Sequence, residues 1–337
     1  MASAIGVIVV LAWMSTPPSE SGDNIFNRKI ISGEVKLLNE IEKEKNVIDF
    51  AGAIGSDIYF KTIDPSIIYK TDNRLENKES INLNIPAISV IASMFKTFVD
   101  SGGVTIFANN VPAIVKAKPG SDPKLIKFPG ALFTRGVQIS SNSFVLRMFE
   151  RTNQIFAKWQ LNTKEIIKET GISEKTGDAG ISTDGMLHFD RKTNSLVYAC
   201  YYQNEILQLD TNLNLIRKMK TVDAKTTSLL KAGRVQTSSQ DVITNLSPKQ
   251  LVNGSSCVSD GYLFIDSKTF SHNEIANKIE NVSVIDIYNM EQGRYEGSFY
   301  IPYYKSEKIK TFKVLNNTLV VIYRKYLVTY AIPYLNL

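Results

Sequence analysis

The side chains able to do chemistry in this sequence are few. It holds 2 histidines, His188 and His272, and 2 cysteines, Cys200 and Cys257. A zinc site of imidazole and thiolate needs three or four such ligands, so zinc here would lean on carboxylates. Both cysteines sit in apolar runs, where a small buried hydrophobe is the ordinary reading. In an exported protein a disulfide between Cys200 and Cys257 is the other reading open to them, and a redox pair a third. His188 lies in GMLHFD, within an apolar run, as a hydrogen-bonded structural group or a base. His272 lies in the polar run DSKTFSHNEIANKIE. No G-x-S-x-G elbow, H-E-x-x-H, P-loop or G-x-G-x-x-G occurs.

Charge narrows the partners. Lys and Arg number 39 against 33 Asp and Glu, a net +6, and the excess is spread thinly. A nucleic-acid footprint needs basic residues clustered on one face, so nucleic acid is not expected as a partner. At 43% hydrophobic and 21% charged, the chain can bury a sizeable core. Residues 1–14, MASAIGVIVVLAWM, carry no charge. Their core of about 11 to 13 apolar residues matches a signal-peptide h-region and is short of the roughly 20 that span a bilayer. No basic residue precedes that run and no small-x-small site follows it, which argues against an ordinary cleaved signal and leaves an uncleaved anchor or a buried or disordered apolar tail as the other readings. Residues 1–29 are therefore expected to be an apolar signal- or anchor-like segment plus linker. They would make the protein exported (periplasmic) or membrane-anchored, with a tether through residues 2–14. Residues 30–337 form a single domain.

The elements that must position any site are short β-type runs cut by turn chemistry. In Ser195–Thr221, SLVYAC, EILQLD and LIRKMKT are separated by YYQN and TNLN, the grammar of a meander. The same design opens at Val47, Ser93, Ala131, Gly185, Leu251 and Lys308, at spacings of about 38 to 66 residues. Leu196, Val197, Tyr198 and Ala199 run in succession, so both faces of such strands are apolar. Sheets packed on neighbours at both sides require that. The last repeat has only three strands, and Ile30–Leu38 reads as a strand with no meander of its own. If that strand completes the last sheet, no loose edge is left.

This pattern resembles the six-bladed β-propellers of the TolB/NHL-like superfamily, among the poorly characterised exported propellers of bacteria, over essentially all of residues 30–335. The resemblance lies in the alternation of GYLFI-type and ILQLDTN-type runs. It implies an all-β fold: a six-bladed β-propeller of four-stranded antiparallel blades, closed by an N-terminal strand. Ser228–Lys231 fits S-x-x-K and Lys175–Gly177 spells KTG, but their order is reversed relative to the penicillin-recognising enzymes and the fold is wrong for them.

In a propeller, loops joining the second strand to the third share a face with the connections between blades. Here that set is long: Gly171–Asp184, Val222–Gln250 and Asp266–Glu280. Loops of such length are uncommon without a function or disorder. The expected ligand or partner site is therefore the mouth beside the fourth and fifth repeats, with Arg151, Tyr201, Tyr202, His272 and Asn273 as candidates. The functional expectation is a non-catalytic binding or scaffold protein that engages a protein, peptide or glycan there. The alternative is a metal-assisted hydrolase or lactonase with a divalent cation in the central channel. No cofactor is expected; a Ca²⁺ ion held by Asp, Asn and carbonyl oxygens in that channel is the reading left open, and no D-x-D-x-D run points to one.

Overall fold

The computed structural model describes residues 26–85, 90–223, 230, 232–236, 241–245 and 251–332. The apolar segment 1–14, the linker 15–24 and most of the connection 222–250 lie outside the described residues.

Strand β1 (Lys36–Glu42) comes first, and antiparallel meanders follow it. The first is β2 (Val47–Ile54), β3 (Asp57–Thr62), β4 (Ile67–Asp72) and β5 (Glu79–Asn82). The second is β6 (Phe95–Asp100), β7 (Gly103–Ala108), β8 (Ala113–Ala117) and β9 (Lys124–Lys127). The third is β10 (Phe133–Ser140), β11 (Ser143–Glu150), β12 (Asn153–Gln160) and β13 (Glu165–Lys168). The fourth is β14 (Gly185–Asp190), β15 (Ser195–Cys200), β16 (Glu205–Asp210) and β17 (Leu215–Lys220). A hairpin, β18 (Ala232–Gln236) and β19 (Asp241–Asn245), precedes the next sheet. That sheet is β20 (Asn253–Ser259), β21 (Tyr262–Ser267), β22 (Val282–Asn289) and β23 (Arg294–Pro302), with helix α1 (His272–Ala276) between its middle strands. The last three strands are β24 (Thr311–Leu315), β25 (Thr318–Ile322) and β26 (Tyr326–Ala331).

The N-terminal strand completes that last sheet. β1 pairs antiparallel with β26, from Lys36 opposite Ala331 to Glu42 opposite Tyr326. It sits later in the chain than the run Ile30–Leu38 suggests. Ile30 instead makes a parallel bridge to Ser298 on β23, and the chain bends at Ser32 and Gly33 before pairing begins. Glu40 and Glu42, which look out of place in a strand, are exposed on this outermost one. A wet outer strand tolerates charge, and charge discourages edge-to-edge association.

Burial follows position within each sheet. β15 is buried at every residue, whereas β17 is mostly exposed. The apolar cores lie between sheets, as stacking face to face requires. Phe107 and Ile114 pack with Phe144 and Leu146, and Val145 and Phe156 with Leu196 and Tyr198. Val197 and Ile206 pack with Leu263 and Tyr288. One further cluster joins Val47, Phe50 and Phe60 of the first meander to Val320, Ile322 and Leu327 of the last sheet.

The first strands of successive sheets touch around a common cavity: β2 with β6, then β10, β14, β20, β24 and back to β2. At one such contact Gly52 bridges to Val99 in parallel, joining the first two meanders. A Cβ at position 52 would stand 2.2 Å from the Val99 carbonyl oxygen, so the approach needs glycine. Antiparallel four-stranded sheets radiating from a channel are the β-propeller arrangement.

The segment ahead of β1 is anchored by a buried arginine. Arg28, 4% exposed, donates Nε to Asp286 Oδ1 at 2.9 Å and Nη2 to Ser267 Oγ at 2.6 Å, and Nη1 reaches Glu274. Asn273 holds the same residue by its backbone, accepting from Arg28 N and donating to Arg28 O, both at 3.1 Å. Ser271 and Glu274 form a capping box that starts α1, and this fixes Glu274 beneath the guanidinium.

Candidate binding channel

The first strands enclose a cavity of about 1220 Å³. Alternate residues of a strand point to opposite faces, so each of these strands sends one set of side chains into the cavity and the other into the cores. On β24, Phe312 and Val314 are buried between sheets while Lys313 lines the cavity. On β6 and β14 the corresponding polar residues are Lys96 and His188.

At the rim where β10 and β14 begin, Arg135 is locked in place. Its Nη2 donates to both carboxylate oxygens of Asp184, at 2.9 and 2.8 Å, its Nε to Gly185 O at 2.8 Å, and its Nη1 to Thr134 O at 2.8 Å. Bonds from all three nitrogens together fix the guanidinium plane. The same group lies 5.8 Å from the centroid of the Tyr201 ring, within cation–π reach. Burial works against its charge, but Asp184 and the neighbouring tyrosines outweigh that and raise its pKa.

Deeper in, Lys96 Nζ donates to Asp49 Oδ2 at 2.6 Å. Burial would raise the Asp49 carboxyl, yet Lys96 holds it below its ordinary value. Lys61 places its Nζ 3.9 Å from the centre of the Phe95 ring. Burial, helped by Lys96 and opposed by Asp49, brings Lys61 down to about 8. His188 Nε2 and Ser256 Oγ share a hydrogen bond of 2.7 Å, and Ser256 Oγ also reaches Met186 Sδ at 3.0 Å. Burial, then the positive charges of Lys96 and Lys313, push the imidazole down to about 3, so it is neutral at ordinary pH. At the far end Asp100 accepts from Gln138 Nε2 at 3.2 Å and pairs with Arg191 at 3.6 Å.

Among the residues singled out from sequence, Tyr201 lines the cavity. Tyr202 is its neighbour, with ring centroids 6.0 Å apart, but lies outside the lining. Arg151 stands exposed at φ 56 in the turn between β11 and β12, away from the cavity. His272 begins α1 with an exposed side chain, its backbone N–H bonded to Phe26 O. Asn273 is occupied with Arg28. The insertion Asp266–Glu280, expected to be part of an open mouth, thus clamps the N-terminal segment instead.

The disulfide reading is corrected. Cys200 and Cys257 are free and buried. Cys200 points into the core between the third and fourth sheets and Cys257 into that between the fifth and last, so their side chains face different cores. Burial raises both thiols, to about 12 and about 11. Among the described residues no group of three or more His, Cys, Asp or Glu side chains is gathered as a metal-binding set.

Arg135, Asp184, Lys96, Asp49 and Lys313 escaped the sequence reading. The signal that could have found them is a charged residue among apolar neighbours in the opening strand of a repeat, as in FKTFVD and TFKVL. The opening strands supply most of the channel wall, so charge there carries more weight than charge elsewhere.

No family model and no curated protein matches this chain. Among solved structures it is similar to a member of the DUF4221 family from Bacteroides vulgatus, with a TM-score of 0.52 and 14% identity, over 92% of this chain and 98% of that one. It is similar also to a catalytically inactive virginiamycin B lyase from Staphylococcus aureus with quinupristin, with a TM-score of 0.51 and 10% identity, over 89% and 100%. A streptogramin B lyase matches with a TM-score of 0.50 and 8% identity, over 88% and 97%. Identities this low speak to architecture and leave activity to be argued from the site; the chain has a β-propeller fold.

Proposed function

We propose that this chain is a six-bladed propeller of the TolB/NHL-like type, closed by β1, and that it works as a binding protein. In this reading it engages a protein, peptide or glycan at the channel mouth beside Tyr201 and Tyr202, with Arg151 further out on the same face. Closure is supported by the pairing of β1 with β26 and by the shared core of the last and first sheets. Export or membrane tethering through residues 2–14 belongs to the same proposal, on the apolar character of that segment.

The observation that carries the binding reading is the rim assembly of Arg135, Asp184 and Tyr201. It presents a fixed cation and an aromatic face at the entrance to a large concavity. Groups held rigid before a partner arrives lose little entropy on binding, which is how small polar sets give orientation and specificity. Peptide and glycan arrays probed with the purified chain test this. Discrete hits are expected, with binding weakened roughly tenfold in Tyr201→Ala/Tyr202→Ala, as for loss of a central aromatic anchor. Hits that survive the double substitution at full strength would place the site elsewhere.

A hydrolase is the second reading, and the His188–Ser256 contact at 2.7 Å favours it, since a hydroxyl beside an imidazole is a nucleophile–base arrangement. The same burial and lysines that hold the imidazole down to about 3 make it a weak base, so binding comes first. Ester and lactone hydrolysis that disappears in Ser256→Ala would reverse that order.

A further inference from the structure

The middle of the channel carries more positive charge than its own carboxylates balance. Lys61, Lys96 and Lys313 enter it from β3, β6 and β24, and Asp49 is the carboxylate among them. Lys96 is committed to Asp49, and Lys61 is attracted to the same group. Towards the two ends of the cavity Arg135 pairs with Asp184 and Arg191 with Asp100, while Asp190 accepts from Thr193 and from the backbone of Lys192, whose ammonium reaches the Asp260 carbonyl. Lys310 is exposed at the start of β24. Lys313 makes no ion pair among the described residues.

The strand beside β24, β20, and its other neighbour β14 supply neutral hydrogen-bonding groups. Ser256 and His188 are joined there, and Ser255 Oγ, on the same strand, is buried without a hydrogen-bond partner. Holding ammonium groups together out of bulk water costs free energy unless a counter-charge meets them. Such an arrangement persists where an anion completes it, and a charge pair is worth more in a narrow channel than in water. Lysine suits this role as a point charge on a flexible stem that follows the ligand.

We propose that the mid-channel is a binding site for a small oxyanion, a carboxylate or a phosphate, seated on Lys313 with the hydroxyls of Ser255 and Ser256 on the adjoining strand and Lys96 as the second cation. This site lies below the rim and does not depend on what the rim engages. The cavity, about 1220 Å³, has room for an organic acid with several carbons as well as for the inorganic ion. Net repulsion among the three lysines falls when the anion enters, so occupancy also stabilises the fold.

Isothermal titration calorimetry of the full chain at low ionic strength, with succinate, citrate and inorganic phosphate as separate probes, tests the site. At least one probe is expected to bind saturably at one site per chain. Lys313→Met should weaken it roughly tenfold or more, the loss of one charge-assisted contact, and Lys313→Arg should keep most of the affinity. Lys305→Met, at an exposed lysine beside Tyr304 and Tyr326, should leave affinity unchanged. Saturable binding of the carboxylates alone assigns an organic acid, and of phosphate alone the inorganic ion or a phosphate ester. If no probe gives a saturable signal, or a folded Lys313→Met chain binds as well as the parent, the proposal falls. Should Lys313→Met fail to fold, Ser255→Ala/Ser256→Ala takes its place, and undiminished affinity in that variant overturns the site equally.

Discussion

Arg28 Nε donates to Asp286 Oδ1 at 2.9 Å across 258 residues of chain. The guanidinium also meets Glu274 on α1, so a single cation near the start of the domain ties together an outer loop and a middle strand of the fifth sheet. Burial opposes the charge on Arg28, and Asp286 and Glu274 more than restore it.

Arg28→Met leaves two carboxylates, Glu274 and Asp286, buried without their cation. Removing one partner of a buried ion pair costs about 3–5 kcal/mol, and urea denaturation should show a loss of that size in the variant. Adding Asp286→Leu and Glu274→Met should recover much of it, because well-packed apolar groups of similar volume replace such clusters at little net cost. A single substitution that leaves the midpoint unmoved would mean that the N-terminal segment is not held by this contact.

His188 gives the folded protein a pH signature. An unfolded chain takes up a proton at this residue near the ordinary value of about 6.5, whereas the folded chain resists until about 3. The contribution is fully present above the ordinary value and declines as pH falls toward the depressed one. The stability difference between the parent and His188→Gln should therefore be flat above pH 7 and shift against the parent at lower pH. The slope is at most about 1.4 kcal/mol per pH unit, and shallower because the ring is open to the channel. Urea titrations at several pH values from 4 to 8 read it directly, and parallel curves for the two proteins would refute a depressed imidazole.

Two free, buried thiols make a further prediction. Thiolate is the reactive form, and burial raises Cys200 to about 12 and Cys257 to about 11. Titration with a thiol-specific disulfide reagent at pH 8 should give almost no fast reaction in the native protein. Both thiols should react in denaturant without prior reduction. A denatured, unreduced chain that shows no titratable thiol would restore the Cys200–Cys257 bridge.

Much of the architecture is local and can be read from residues alone. SLVYAC followed by turn residues must make a short strand with two apolar faces, and repetition of that unit demands sheets stacked on one another. The need for an added strand in the last sheet was legible too, from counting runs. Its position was not, because Glu40 and Glu42 look like loop residues until β26 leaves them on the wet side of an outermost strand.

The site behaves differently. Tyr201 was legible as a strand-end aromatic, but the partners that give it meaning, Arg135 and Asp184, come from other stretches of the chain. Lys61, Lys96 and Lys313 are unremarkable in sequence and become a single electrostatic unit only when β3, β6 and β24 meet at the channel. His272 and Asn273 looked like binding residues of a long loop, and contact with Phe26 and Arg28, some 245 residues away, makes them part of an anchor. Backbone preference and apolar periodicity act over a few residues, so they are written in the neighbouring letters. Charge compensation acts through space, and which charges are left over is decided when distant strands meet around the channel.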